Sequence, residues 1–88
     1  MIKIKLVQDA KYCRGEKHLH TNTGDKTLYS LSEWFEALGV DFLGNNYEVV
    51  WAITNHDATE LEDMCDWAFP EEIFSFSENK PVSAEIIF

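Results

Sequence analysis

Apolar and polar residues alternate at the start of the chain, with Ile2, Ile4 and Leu6 on one side and Lys3 and Lys5 on the other. A period of two predicts a half-buried strand over Ile2 to Val7. The stretch Ala10 to Gly15 is polar and irregular. Glu16 to Thr21 and Lys26 to Tyr29 then read as a hairpin around Asn22-Thr23-Gly24-Asp25, where Gly24 supplies the positive φ of such a loop.

At Ser30 the period lengthens. Leu31, Trp34, Phe35 and Leu38 share one face at helical spacing, while Glu33 and Glu36 point away. Ser30 precedes Glu33 by three residues in a capping-box arrangement, and Gly39 stands where a left-handed C-terminal cap belongs. These features predict a short amphipathic helix. After Gly44-Asn45-Asn46, the run Tyr47 to Thr54 is β-branched and aromatic on both faces, as in a central strand. Asp57 caps a second predicted helix, with Glu60 three residues on, that runs to about Ala68 and is stopped by Phe69-Pro70. Ile73 to Ser77 and Val82 to Phe88 form a terminal hairpin through Glu78-Asn79-Lys80-Pro81. The pattern predicts one α+β domain over residues 1–88. In it, two short amphipathic helices pack on one face of a mixed, mainly antiparallel sheet of about four to six strands.

Composition agrees with one folded domain. Of 88 residues, 45% are hydrophobic and 14% aromatic, enough to bury a modest core without staples. Cys13 and Cys65 lack the dense spacing of a disulfide framework, which points to a reducing compartment. The first residues lack the apolar run of a signal peptide, and no window reaches the roughly 18 apolar residues of a membrane span. The expected location is the cytoplasm, with no membrane partner.

Charge changes the picture most. Of the seven bases, six lie within the first 26 residues, and Lys80 is the other. From Thr27 to Asn79 there are twelve acids and no base, within a net charge of −9. Such a field repels phosphates, so direct binding to nucleic acid is not expected. A surface that serves solubility alone intersperses both signs. A one-sign field is most easily understood when a basic partner neutralises it.

Motifs for chemistry are sparse. Cys13, His18 and His20, with Cys65 or His56 added, lack the spacing of a closed metal site. Cys65 sits on the apolar side of an acidic helix, a poor setting for a nucleophile. There is no glycine-rich phosphate loop. No catalytic residue, metal or cofactor is expected.

The second predicted helix is more informative. At about 100° per residue, Ala58, Leu61, Met64, Cys65 and Ala68 form a buried stripe, and Glu60, Glu62, Asp63 and Asp66 the opposite arc. Trp67 falls within the acidic arc, either as an exposed anchor ringed by carboxylates or as a satellite of the core under the terminal hairpin. The expected function is that of a non-enzymatic inhibitor or modulator that docks an acidic face on a basic, nucleic-acid-binding protein surface. Asp57, Glu60, Glu62, Asp63, Asp66, Trp67, Glu71 and Glu72 are the expected contact residues. In charge and size, though not in any motif, the chain is similar to small phage-encoded inhibitors, including DNA-mimic and anti-CRISPR proteins. The rival readings are an assembly subunit that oligomerises through strand edges or an aromatic surface, and a small metal-dependent enzyme using His18 and His20.

Overall fold

Trp34 and Phe35 are neighbours in sequence and both are buried, yet they pack into different clusters. Phe35 joins Ile4, Val49, Trp51 and Ile73, whereas Trp34 joins Leu19 and Val50. Consecutive side chains reach opposite sides only along an extended backbone. The computed structural model, which describes residues 2–20 and 30–88, makes Ser30–Val40 a strand of 11 residues.

Among the described residues the strands are β1 (Ile2–Leu6), β2 (Lys11–His18), β3 (Ser30–Val40), β4 (Asn46–Ala52), β5 (Glu72–Ser75), β6 (Lys80–Pro81) and β7 (Ala84–Ile87), with one 3-10 turn at Leu61–Asp63. They lie in the order β6-β5-β4-β3-β1-β7, and β2 also pairs with β3. β3 is the spine. β4 pairs along it from Trp34↔Ala52 to Val40↔Asn46. On its other edge β2 takes residues 30–36, across a bulge, and β1 takes Gly39 and Val40. All pairs are antiparallel except β1 with β7. β6 and β7 stand at opposite ends of this order, yet only Val82 and Ser83 separate them in the chain. Three peptide steps span at most about 11 Å, so the sheet curls until its ends approach, as a half-barrel.

This architecture overturns the α+β expectation: among the described residues there is no α-helix. Over Ser30–Val40, aromatic residues that suit a pleated surface meet partner strands on both edges, and the ladder satisfies their backbone groups in place of a helix. Leu38, assigned to the core by the helical reading, is 41% exposed. Gly39 is no helix cap: a Cβ there would stand 2.4 Å from Ile4 Cγ2 and 3.3 Å from the Lys5 carbonyl, so glycine lets β1 approach β3.

The second helix is also absent, and its residues belong to a long connection over residues 53–71. Helical geometry would set Glu60 against Asp63, Glu62 against Asp66 and Asp63 against Asp66, like charges that each weaken a helix, with no base to offset them. Tertiary bonds hold the backbone instead. The amides of Thr54 and Asn55 both donate to the Met64 carbonyl, and the Glu71 amide donates to Val50.

The remaining expectations fare unevenly. The strands predicted at Ile2 to Val7 and Tyr47 to Thr54 are present as β1 and β4. The stretch Ala10 to Gly15, read as irregular, mostly belongs to β2. The predicted turn Asn22 to Asp25 and the strand Lys26 to Tyr29 lie outside the described residues. The terminal hairpin forms only between β5 and the short β6, and β7 crosses to lie parallel to β1. No helix of the described residues is long and apolar enough to cross a membrane.

Two faces of the sheet carry cores. Inside the curl, Phe35, Ala37, Val49, Trp51 and Ile73 pack with Ile4 and Ile86, and the 53–71 connection folds Met64, Cys65 and Trp67 onto them. Outside, Leu19 closes over Trp34 and Val50.

Candidate functional site

The 53–71 connection divides its residues by polarity without being a helix. Cys65 is buried, and Met64 and Trp67 are half-buried against the inner core. The Trp51 indole Nε1 donates to the Trp67 carbonyl at 3.0 Å, fixing the connection to β4 from within. Asp57, Glu60, Glu62, Asp63, Asp66 and Glu71 are all exposed. None of the ion pairs among the described residues involves any of these six carboxylates. By contrast, Glu48 is bound by Lys17 at 2.7 Å and Glu33 lies 3.4 Å from His56. Among the described residues, the acids of this one connection are therefore unpaired with any base.

Two other expected contact residues sit differently. Glu72 is buried at 4% exposure on the outer face. It accepts the His20 amide at 2.6 Å and stands 3.2 Å from the His20 Nδ1, and that imidazole lies over Phe74 with centroids 4.3 Å apart. Its carboxylate ties the segment after β2 to β5, away from the acidic connection. Trp67 lies with its ring centroid 5.2 Å from that of Phe35 and 5.2 Å from that of Trp51, the geometry of an aromatic cluster. One side of it remains open. With Trp51 it lines a cleft of about 1240 Å³ whose other walls include Leu6, Val7, Leu61 and Phe88, with Asp9 and Glu62 among its polar residues.

No local pattern signals Val7, Asp9 and Phe88 in this role, because β1, β7 and the 53–71 connection meet only through the curl of the sheet. A second feature does have a local signal. Asp41-Phe42-Leu43-Gly44-Asn45 is the turn between β3 and β4, and it exposes Phe42 at 85% and Leu43 at 87%. Asp41 holds the turn rigid. One carboxylate oxygen accepts the Leu43 and Asn45 amides, and the other accepts the Asn45 side chain and the Tyr47 hydroxyl at 2.8 Å. Gly44 takes φ +86°, which glycine adopts without strain.

The Asn45 side-chain amide, reinforced by the other three donors, lowers the Asp41 carboxyl from its ordinary 3.8 to about 2. A lowered folded-state value contributes stability above about pH 4, lost as pH falls towards 2. Asp41→Asn is therefore expected to flatten the acid limb of stability in urea titrations run between those pH values. An unchanged acid limb in the variant would show that Asp41 does not hold the turn.

The candidate metal ligands are dispersed. His18 Nε2 pairs with Glu16 at 2.8 Å, and His20 with Glu72. Among the described residues no three His, Cys, Asp or Glu side chains converge on one point. Both thiols are held protonated: burial pushes Cys65 up to about 11, and burial followed by the nearby Glu36 raises Cys13. Tyr12 donates to Glu33, which raises the phenol, but the pair lies on an exposed edge. No family model matches the chain, and neither a curated protein nor a solved structure matches it.

Proposed function

We propose that the protein is a non-enzymatic inhibitor or modulator whose acidic connection docks on a basic, nucleic-acid-binding surface of another protein. One observation carries this reading: the six exposed carboxylates on residues 57–71 make no ion pair among the described residues, while Glu16, Glu33, Glu48, Glu72 and Glu78 each stand within ion-pair distance of a Lys or His. Self-repulsion of this kind costs stability unless an opposing surface relieves it. The free thiols of Cys13 and Cys65 fit a reducing compartment, and the proposal places the protein in the cytoplasm. The carboxylates follow an irregular backbone, so the similarity to DNA-mimic proteins is one of charge and size and not of regular spacing.

Reversing Glu62, Asp63 and Asp66 together to Lys tests it. None of these side chains makes a hydrogen bond or ion pair with another described residue, so the fold is expected to persist and partner capture from lysate at low salt to disappear. Wild-type binding is expected to weaken steeply with added salt, and the association rate to respond more than the dissociation rate. A triple variant that still binds at low salt would refute the proposal. The turn bearing Phe42 and Leu43 favours a second reading, in which those side chains join copies of the chain into an assembly. A sedimentation coefficient that rises with concentration, and ceases to do so in a Phe42→Ser, Leu43→Ser variant, would select it.

A further inference from the structure

The cleft beside the acidic connection combines two chemistries. Its apolar wall comes from Leu6, Val7, Trp51, Leu61, Trp67 and Phe88, of which Val7, Leu61 and Phe88 are more than half exposed. Among the described residues its charged lining is Asp9 and Glu62, with no cation. Lys5 and Lys11 flank the cleft in sequence, but they pair with Val40 and Glu36, so strand alternation sends them to the outer face with Trp34. Glu60, Asp63 and Asp66, near Glu62 in sequence, are exposed as well.

An apolar ligand without charge satisfies only the wall, and a purely basic one only the rim. We infer that the cleft receives a basic segment of a partner protein that carries large apolar side chains between its lysines or arginines. This rests on the docking reading above and names its anchor point. The apolar side chains cover Val7, Leu61 and the open side of Trp67, and the cations lie against Asp9 and Glu62. Charge complementarity steers the encounter, and the apolar contact sets the residence time.

Three short synthetic peptides test the inference: Lys-Lys-Leu-Leu-Lys-Lys, the same with both Leu replaced by Ser, and the same with all Lys replaced by Gln. Binding is read from the shift of indole emission at low salt and from titration calorimetry. The Lys-Leu peptide is expected to bind at least about tenfold tighter than either control, which corresponds to about 1.4 kcal/mol. It is also expected to move the emission to shorter wavelength as Trp67 is covered. Val7 and Leu61 are exposed enough to change without unfolding, so Val7→Ser with Leu61→Ser is expected to abolish the advantage of the Lys-Leu peptide and leave the Lys-Ser peptide unaffected. Equal affinity for the Lys-Leu and Lys-Ser peptides would overturn the cleft while leaving the acidic docking reading intact. Equal affinity for the Gln-Leu peptide would overturn it in favour of an uncharged occupant. If neither Lys peptide binds, the docking reading fails and the cleft with it.

Discussion

Trp51→Ala is expected to remove about 3–5 kcal/mol of stability, the upper range for deleting a buried side chain. Trp51 is 1% exposed, lies opposite Phe35 across the β3–β4 ladder and touches Trp67, so its loss leaves a void that faces three elements. The change also orphans the Trp67 carbonyl, which accepts the Trp51 indole N–H. The core cannot collapse into the void without pulling β4 from β3 or lowering the acidic connection. A domain of this size holds only about 5–15 kcal/mol in all, so the variant lies near the edge of folding at room temperature. Urea denaturation followed by far-ultraviolet dichroism measures the difference. A loss below about 1 kcal/mol would mean that Trp51 is not central to the inner core. Trp67→Ala, at a half-buried position, is expected to cost less, and the two changes are expected to be non-additive because the rings are in contact.

The second large effect is expected from Gly39→Val. Ile4 is fully buried and its Cγ2 already stands 2.4 Å from where a Cβ on residue 39 would be, with the Lys5 carbonyl at 3.3 Å on another side. Neither obstacle is the free end of a flexible side chain. The new side chain must push β1 off β3, where the strands share only Lys5↔Val40 and Leu6↔Gly39. Among the described strands β7 pairs only with β1, so it leaves with it. Overpacking of a core usually costs about 1–3 kcal/mol; displacement of two strands places this variant above that range. A glycine serving merely as a helix cap would cost roughly 1 kcal/mol. Ile4→Ala relieves the clash, so a double-mutant cycle between Ile4→Ala and Gly39→Ala is expected to show favourable coupling. Strict additivity in that cycle would contradict the close approach of β1 to β3.

Gly39 also shows where sequence reading reached its limit. A glycine after an apolar run serves equally as a helix cap or as the point where another backbone comes close, and only the crossing strand decides which. The segment before it is ambiguous for a related reason. Leu31, Trp34, Phe35 and Leu38 satisfy a period of 3.6, but Trp34 and Phe35 on opposite faces satisfy a strand whose two sides are both covered. Ser30 and Glu33 resemble a capping box, yet Glu33 accepts the Tyr12 hydroxyl from the facing strand. β1 and β4 were legible because their patterns allow one reading each. Of the site, the uncompensated charge of residues 57–71 was legible, since it is a property of composition. The burial of Glu72 and the cleft beside Trp67 were not, because His20, β5, β1 and β7 come together only through non-local pairing.

The parallel pairing of β1 with β7 has a mechanical consequence. Force applied at residue 2 and at residue 87 runs along the two strands in opposite directions. The ladder from Ile2↔Ala84 to Lys5↔Ile87 is thus loaded in shear, all its hydrogen bonds at once, and cannot be unzipped one bond at a time. The strand pair that joins the most distant parts of the sequence is therefore a clamp. Under tension, survival of the fold depends on the rate at which that clamp yields rather than on equilibrium stability. Pulling between the Phe42–Leu43 turn and either end would bypass it and open the curl through the β3–β4 hairpin at lower force.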